Sequence, residues 1–275
     1  MATGVYKAKR KDGVEYYRSN IHYKNKNISL GSYNTFDEAH EVHVQAKALI
    51  KDMSVNIPEA FEKYPLIPFD KAVSLVNYRN FKLYFGVPIY LNKLGFSYYL
   101  DEKTELKFDN DDLFYYADHR IMKRGGHLYV NDYGSQVNIL SRYGIKNHAV
   151  AGVDYLFVNK DSSDYRYENI KVINPYYGVS LQDNSGRITF MTKIHIIGNY
   201  QIGIYNDMIT AAIAYNKAVD MAKAAGITKE YTQNFPDIGA KEFAEIYSQV
   251  HISRTYRDYL KTLTKETIQK INNKE

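Results

Sequence analysis

Apolar and polar positions along this chain fall into short alternating runs broken by turn residues, with a few longer stretches of helical spacing. Residues 4–33 alternate in three runs, GVYKAKR, EYYRSNIHY and ISLGSY, separated by Lys11-Asp12-Gly13 and by Lys24 to Asn27. Each run is short, rich in Tyr or Ile and bounded by turn formers, which predicts a three-stranded antiparallel meander. Thr35 and Glu38 then have the spacing of a capping box, and Phe36, Ala39, Val42, Val44, Ala46, Leu49 and Ile50 supply the apolar side of a helix. Such a helix covers one face of the sheet and leaves the other open. With Ile21, Ile28 and Leu30 turned to the helix, strand alternation turns Tyr6, Arg18, Asn20, His22, Asn27 and Ser29 outward.

The same plan recurs over residues 177–226. Gly4-Val5-Tyr6 returns as Gly178-Val179-Ser180, Ile21-His22 as Ile194-His195, and Ile28 to Tyr33 as Tyr200 to Tyr205. A second helix follows, with Asp207 as N-cap and Gly226 as its stop. By the same register this copy presents Ser180, Gln182, Lys193, His195, Asn199 and Gln201. The alternative for any of these residues is a plain solvated face.

Between the copies, Pro58, Pro65 and Pro68 read as a linker, placing a domain boundary near residue 57. The stretches AVSLVNYRNFKLYFGVPIYL and GFSYYLDEKTELKFDNDDLFYYADHRI alternate well enough to predict short strands. After Asn234-Phe235-Pro236, one or two helices are expected to the end of the chain. Phe243, Ile246, Tyr247 and Val250 form a stripe along them that docks either on the protein itself or on a second copy, as a homodimer.

Composition sharpens this picture little, except in charge. The 275 residues carry a net +5 and no Cys, so disulfides and thiolate metal sites are excluded. The excess is concentrated early: residues 1–51 hold nine Lys and Arg against five Asp and Glu. That suits a polyanion partner. No apolar run reaches the roughly eighteen residues of a membrane span, and the first residues lack a secretory signal's apolar core, so a cytoplasmic protein is expected. The 28 Tyr, with no Trp, suit phosphate-contacting surfaces, although nucleotide bias in a genome produces the same excess.

The Gly-Val start, the Ile-His pair, the Leu-Gly-x-Tyr-like third strand and the alanine-rich helix resemble the Apetala-type (ethylene-response-factor-type) DNA-binding domain. That resemblance implies an open sheet face laid in the major groove of double-stranded DNA, with the outward residues of both copies as contacts. The family's usual arginines and tryptophans are mostly absent here.

Between the copies, Leu140-Ser141-Arg142-Tyr143-Gly144, Val153-Asp154-Tyr155-Leu156 and Asp164-Tyr165-Arg166-Tyr167-Glu168-Asn169-Ile170 resemble the catalytic part of phage-type HNH homing endonucleases. The resemblance implies Asp154 and Asn169 at the two metal-ligand positions. It also puts Tyr155 where the general-base histidine belongs, Tyr165 in place of the asparagine that orients it, and Ser141 in place of a further histidine. A phenol with an ordinary pKa near 10 is a poor base at neutral pH. If activity survives, His148 is the replacement base and Mg²⁺ the cofactor; otherwise no cofactor is expected.

The expectation is an α+β chain: Apetala-type units at 1–55 and 176–235, a degenerate HNH (ββα-metal-like) core at 56–175 and a helical segment at 236–275. Its function would be sequence-specific binding of double-stranded DNA without catalysis, as a transcription regulator of bacterial, phage or mobile-element origin associated with the nucleoid. The rivals are an active metal-dependent homing endonuclease and a phage protein that inhibits a host nuclease.

Overall fold

The computed structural model describes residues 4–273. The architecture is α+β, with small antiparallel sheets and eight α-helices among the described residues. Contacts divide the chain into two compact units, one of residues 1–139 and 157–170, the other of 140–156 and 171–275.

The first unit opens with the expected meander, β1 (Val5–Lys9), β2 (Glu15–Tyr23) and β3 (Lys26–Tyr33). Lys24 and Asn25 both adopt left-handed φ (43° and 64°), which closes the β2–β3 hairpin in two residues. Helix α1 (Phe36–Lys51) starts at the predicted capping box, with Thr35 and Glu38 each accepting from the other's backbone N–H. Its Val42, Ala46, Leu49 and Ile50 bury against Ile21, Ile28 and Leu30.

The following segment corrects the sequence reading. Residues 57–81 form two helices, α2 (Ile57–Lys63) and α3 (Phe69–Phe81), where a linker and strands were expected. Pro58 sits in the first turn of α2 and Pro68 is the N-cap of α3, positions where the missing N–H costs nothing. Helix α3 is buried on every side from Ala72 to Arg79, so its polar residues show no amphipathic period. Those residues are satisfied internally: Asn77 donates to the Leu83 carbonyl, and Arg79 donates to the carbonyls of Leu49, Asp52 and Val55. One core joins the meander and α1 to α2, α3 and Tyr99, so residues on both sides of the expected boundary near residue 57 share it.

Strands are found further on. β4 (Ile89–Leu91), β5 (Phe96–Tyr99) and β6 (Glu105–Phe108) form one sheet; after helix α4 (Leu113–Asp118), β7 (Met122–Arg124), β8 (His127–Asp132) and β9 (Ser135–Asn138) form another. The two-stranded sheet of β10 (Tyr155–Phe157) and β11 (Ile170–Val172) follows. The chain passes from β11 to the next strand through a loop, without the helix of a ββα-metal motif.

In the second unit, β12 (Val179–Asn184), β13 (Arg187–His195) and β14 (Asn199–Tyr205) repeat the meander, and α5 (Met208–Ala224), capped by Asp207, repeats α1. The duplication extends to irregularities. Register slips between Ser19 and Asn20 in one sheet and between Thr192 and Lys193 in the other. Gly4 and Gly178 both have positive φ, and a Cβ on either would strike an aromatic ring of the following helix, His43 or Tyr215.

Three helices close the chain: α6 (Ala240–Gln249), α7 (Arg254–Thr262) and α8 (Lys265–Asn272). The one or two expected become three because Ser253 and Thr264 each start a new N-cap. Phe243, Ile246, Tyr247 and Val250 pack on the core beneath α5, so this stripe is used within its own unit.

Candidate nucleic-acid interface

The outward face of the first sheet carries all six residues assigned to it. Tyr6 lies opposite Arg18 and Arg18 opposite Ser32; past the bulge, Asn20 pairs with Ser29 and His22 with Asn27. Cross-strand partners share a face, and the interleaved Ile21, Ile28 and Leu30 are buried under α1. Tyr6 is 57% exposed, and Arg18, His22, Asn27 and Ser29 are exposed as well.

The sequence reading missed three neighbours on this face. Ala8 stands opposite Tyr16, which brings Tyr16 beside Arg18. The Arg18 guanidinium donates to the Tyr16 hydroxyl through Nε at 3.1 Å and through a terminal nitrogen at 2.6 Å. Arg10 lies over the same ring, its guanidinium carbon 5.8 Å from the centroid. Ser32 completes the row. The signal was present in the alternation of EYYRSNIHY, since Tyr16, Arg18, Asn20 and His22 are separated by two. The face thus presents two guanidiniums, one aimed by a phenol, with hydroxyls and amides around them. Fixed Arg forks and amides can bond phosphates and base edges.

The second sheet shares the geometry but differs in chemistry. Lys193 pairs with Gln201 and His195 with Asn199, and these four side chains are exposed. His195 Nδ1 lies 3.0 Å from the Asn199 carboxamide oxygen. Ser180 and Gln182 are half-buried, opposite Met191 and Thr189. Where the first copy has Arg18 and Ser32, this one has Met191 and the exposed Ile204. Its face is therefore mostly uncharged.

The central stretch is engaged in structure. Asp154, in the second unit, accepts from the Val150 N–H at 2.8 Å and the Asn174 amide at 2.7 Å, and its Oδ1 lies 2.9 Å from Lys146 Nζ. Lys146 also donates to the Tyr176 and Val179 carbonyls, so the ammonium meets three acceptors. Burial alone would raise the Asp154 carboxyl, but the Val150 N–H, the Lys146 ammonium and the Asn174 amide hold it below its ordinary range. Burial pushes the Lys146 ammonium down against the pull of Asp154.

Asn169 belongs to the first unit. Its carboxamide accepts from the Asn159 N–H and donates to the Asp164 carbonyl, pinning the loop between β10 and β11. Asp164 holds Arg166 in a two-pronged pair, at 2.8 and 2.6 Å. Tyr165 stacks on Phe108 and meets Phe157 edge-on. Burial, and then Asp154, push the Tyr155 phenol above its ordinary value, away from what a general base needs. His148 is exposed, with φ of 64°. Among the described residues no group of three His, Asp or Glu is placed to hold a metal ion, and no helix is long and apolar enough to cross a membrane.

Comparison with known protein families, curated proteins and solved structures finds no match to this chain.

Proposed function

We propose that this chain is a non-enzymatic, sequence-specific double-stranded DNA-binding protein built around two Apetala-type units, with a remnant of an HNH homing endonuclease between them, and that it regulates transcription in a bacterium or its phage. The observation that carries the reading is the outward face of the first sheet, where Arg18, oriented by Tyr16, stands with Arg10 among Tyr6, Asn20, His22, Asn27 and Ser29. A narrow antiparallel sheet can enter the major groove, and these side chains offer both phosphate and base-edge partners. The second sheet contributes Lys193, His195, Asn199 and Gln201 and acts as the weaker reader, because its centre is Met191 and Ile204.

Loss of catalysis is supported by the environment of Asp154. A buried ammonium, an amide and a backbone N–H already take up the carboxylate that a divalent cation would need.

The test is selection of bound duplexes from a random library, followed by incubation of the best binder with Mg²⁺ or Mn²⁺. The reading expects an enriched motif and an uncut duplex. Failure to bind any duplex at low salt would remove it, and so would nicking that Asp154→Ala abolishes.

A further inference from the structure

The two copies differ in what covers the helix beside the open edge of the middle strand. In the first copy β1 begins at Val5, and the carbonyl of the preceding Gly4 accepts from the Asn20 N–H. Beyond that point, among the described residues, β2 is paired with β3 alone, and alternation turns the His22 N–H and C=O away from β3. There a cleft of about 520 Å³ opens between β2 and α1. Tyr6, Asn20, His22 and Asn27 reach it from the sheet, and His43, Lys47 and Lys51 from the helix.

In the second copy the equivalent groove is filled by the chain itself. After Gly226 the extended segment 227–235 runs back along α5. Tyr231 donates to the His195 carbonyl at 3.0 Å, and Asn234 bonds the N–H and C=O of Tyr177. The positions beneath it are apolar. Val219 stands where the first copy has Lys47, and Tyr215 where it has His43; Val219 is fully buried. Had the first copy's groove awaited a similar apolar strap, Lys47 would be a costly residue to place under it.

The first copy's cleft has a consistent chemistry of its own. It is lined by two lysines and two histidines, and among the described residues lining it there is no Asp or Glu. Among the described residues neither Lys47 nor Lys51 is in an ion pair. They stand one helical turn apart, about 6 Å along the axis, which is close to the separation of successive phosphates on one strand. His43 donates Nδ1–H to the Asn20 carbonyl at 2.8 Å, which fixes the ring and leaves Nε2 as its second polar atom. The cleft also shares Tyr6, Asn20, His22 and Asn27 with the outward sheet face.

We propose that this cleft is a phosphodiester site: while the sheet face reads the groove, one strand of the bound nucleic acid lies along α1 with adjacent phosphates on Lys47 and Lys51. The proposal rests on the DNA-binding reading above and adds the helix to an interface otherwise made by the sheet alone.

The experiment measures affinity of the full chain for a fluorescein-labelled duplex of mixed sequence as a function of salt. Each phosphate contact contributes about 0.9 to the slope of log affinity against log salt. Lys47→Ala/Lys51→Ala should therefore make the slope shallower by about 1.8, and Lys47→Arg/Lys51→Arg should restore it. Both sites are exposed, so the fold is not at risk. Duplex binding by wild type with an unchanged slope in the alanine variant would overturn this proposal and leave the sheet reading standing. No duplex binding by wild type would overturn both. Tight capture of a labelled Glu-rich peptide, lost in the alanine variant while the duplex slope stays unchanged, would assign the cleft to an acidic peptide instead.

Discussion

Lys146 Nζ lies 2.9 Å from Asp154 Oδ1, with the two side chains 8% and 9% exposed. The pair fastens the segment 140–156 to the start of β12, because the same ammonium also donates to the Tyr176 and Val179 carbonyls. Removing one partner leaves a buried charge uncompensated, whereas removing both does not. Asp154→Ala should lower stability to chemical denaturation by about 3 kcal/mol, and Lys146→Met/Asp154→Leu should recover most of that loss. A double variant as unstable as the single would show that the carboxylate's bonds to Val150 and Asn174 matter more than the charge pair.

Arg79 is the corresponding fastening in the first unit. It is 4% exposed, and its guanidinium donates to the Leu49, Asp52 and Val55 carbonyls, closing the C-terminal end of α1. Arg79→Met keeps the apolar stem but orphans those carbonyls, for an expected loss of about 3 kcal/mol. Urea unfolding monitored by circular dichroism measures it.

At the sheet face, Tyr16→Phe removes the hydroxyl that holds Arg18. Both groups face solvent, so stability should change by less than about 0.5 kcal/mol. Duplex affinity should fall about threefold to fivefold as Arg18 loses its fixed orientation, an effect on the order of 1 kcal/mol. Arg18→Ala should weaken binding further, and Met191→Ala in the second sheet should leave the salt slope unchanged.

The loop between β10 and β11 should contribute to acid sensitivity. The Ser163 hydroxyl, the Ser163 N–H and Lys107 hold the Asp161 carboxyl down to about 2. Arg166 holds Asp164 below the usual range against the opposing effect of burial. Both folded-state pKa values lie below the unfolded carboxylate value of about 3.9. Their stabilisation is therefore fully present above that value and lost as pH falls through each folded-state value, about 2 for Asp161. Asp161→Asn should flatten the pH dependence of stability below about pH 4, as read from denaturation midpoints at a series of pH values.

The meanders and their helices were legible because their information is local. Alternation, turn residues and the Thr35–Glu38 box depend on neighbours within a few positions, and the duplicated register at Gly178 reinforced them. The outward faces followed from the same alternation, although Arg10, Tyr16 and Ser32 were passed over.

Local pattern set which residues share a face of the two meanders and where α1 and α5 begin. Tertiary structure decided the rest. Helix α3 shows no amphipathic stripe because other elements surround it, so only packing reveals that Ser74, Asn77 and Arg79 are interior and satisfied. The HNH resemblance implies a metal ligand at Asp154, yet its partner is Lys146, eight positions earlier and without any periodic relation to it. The cleft beside Lys47 likewise follows from packing and from no local pattern. Segment 227–235 closes the second copy's groove, whereas the first copy's sheet and helix line a cleft of about 520 Å³.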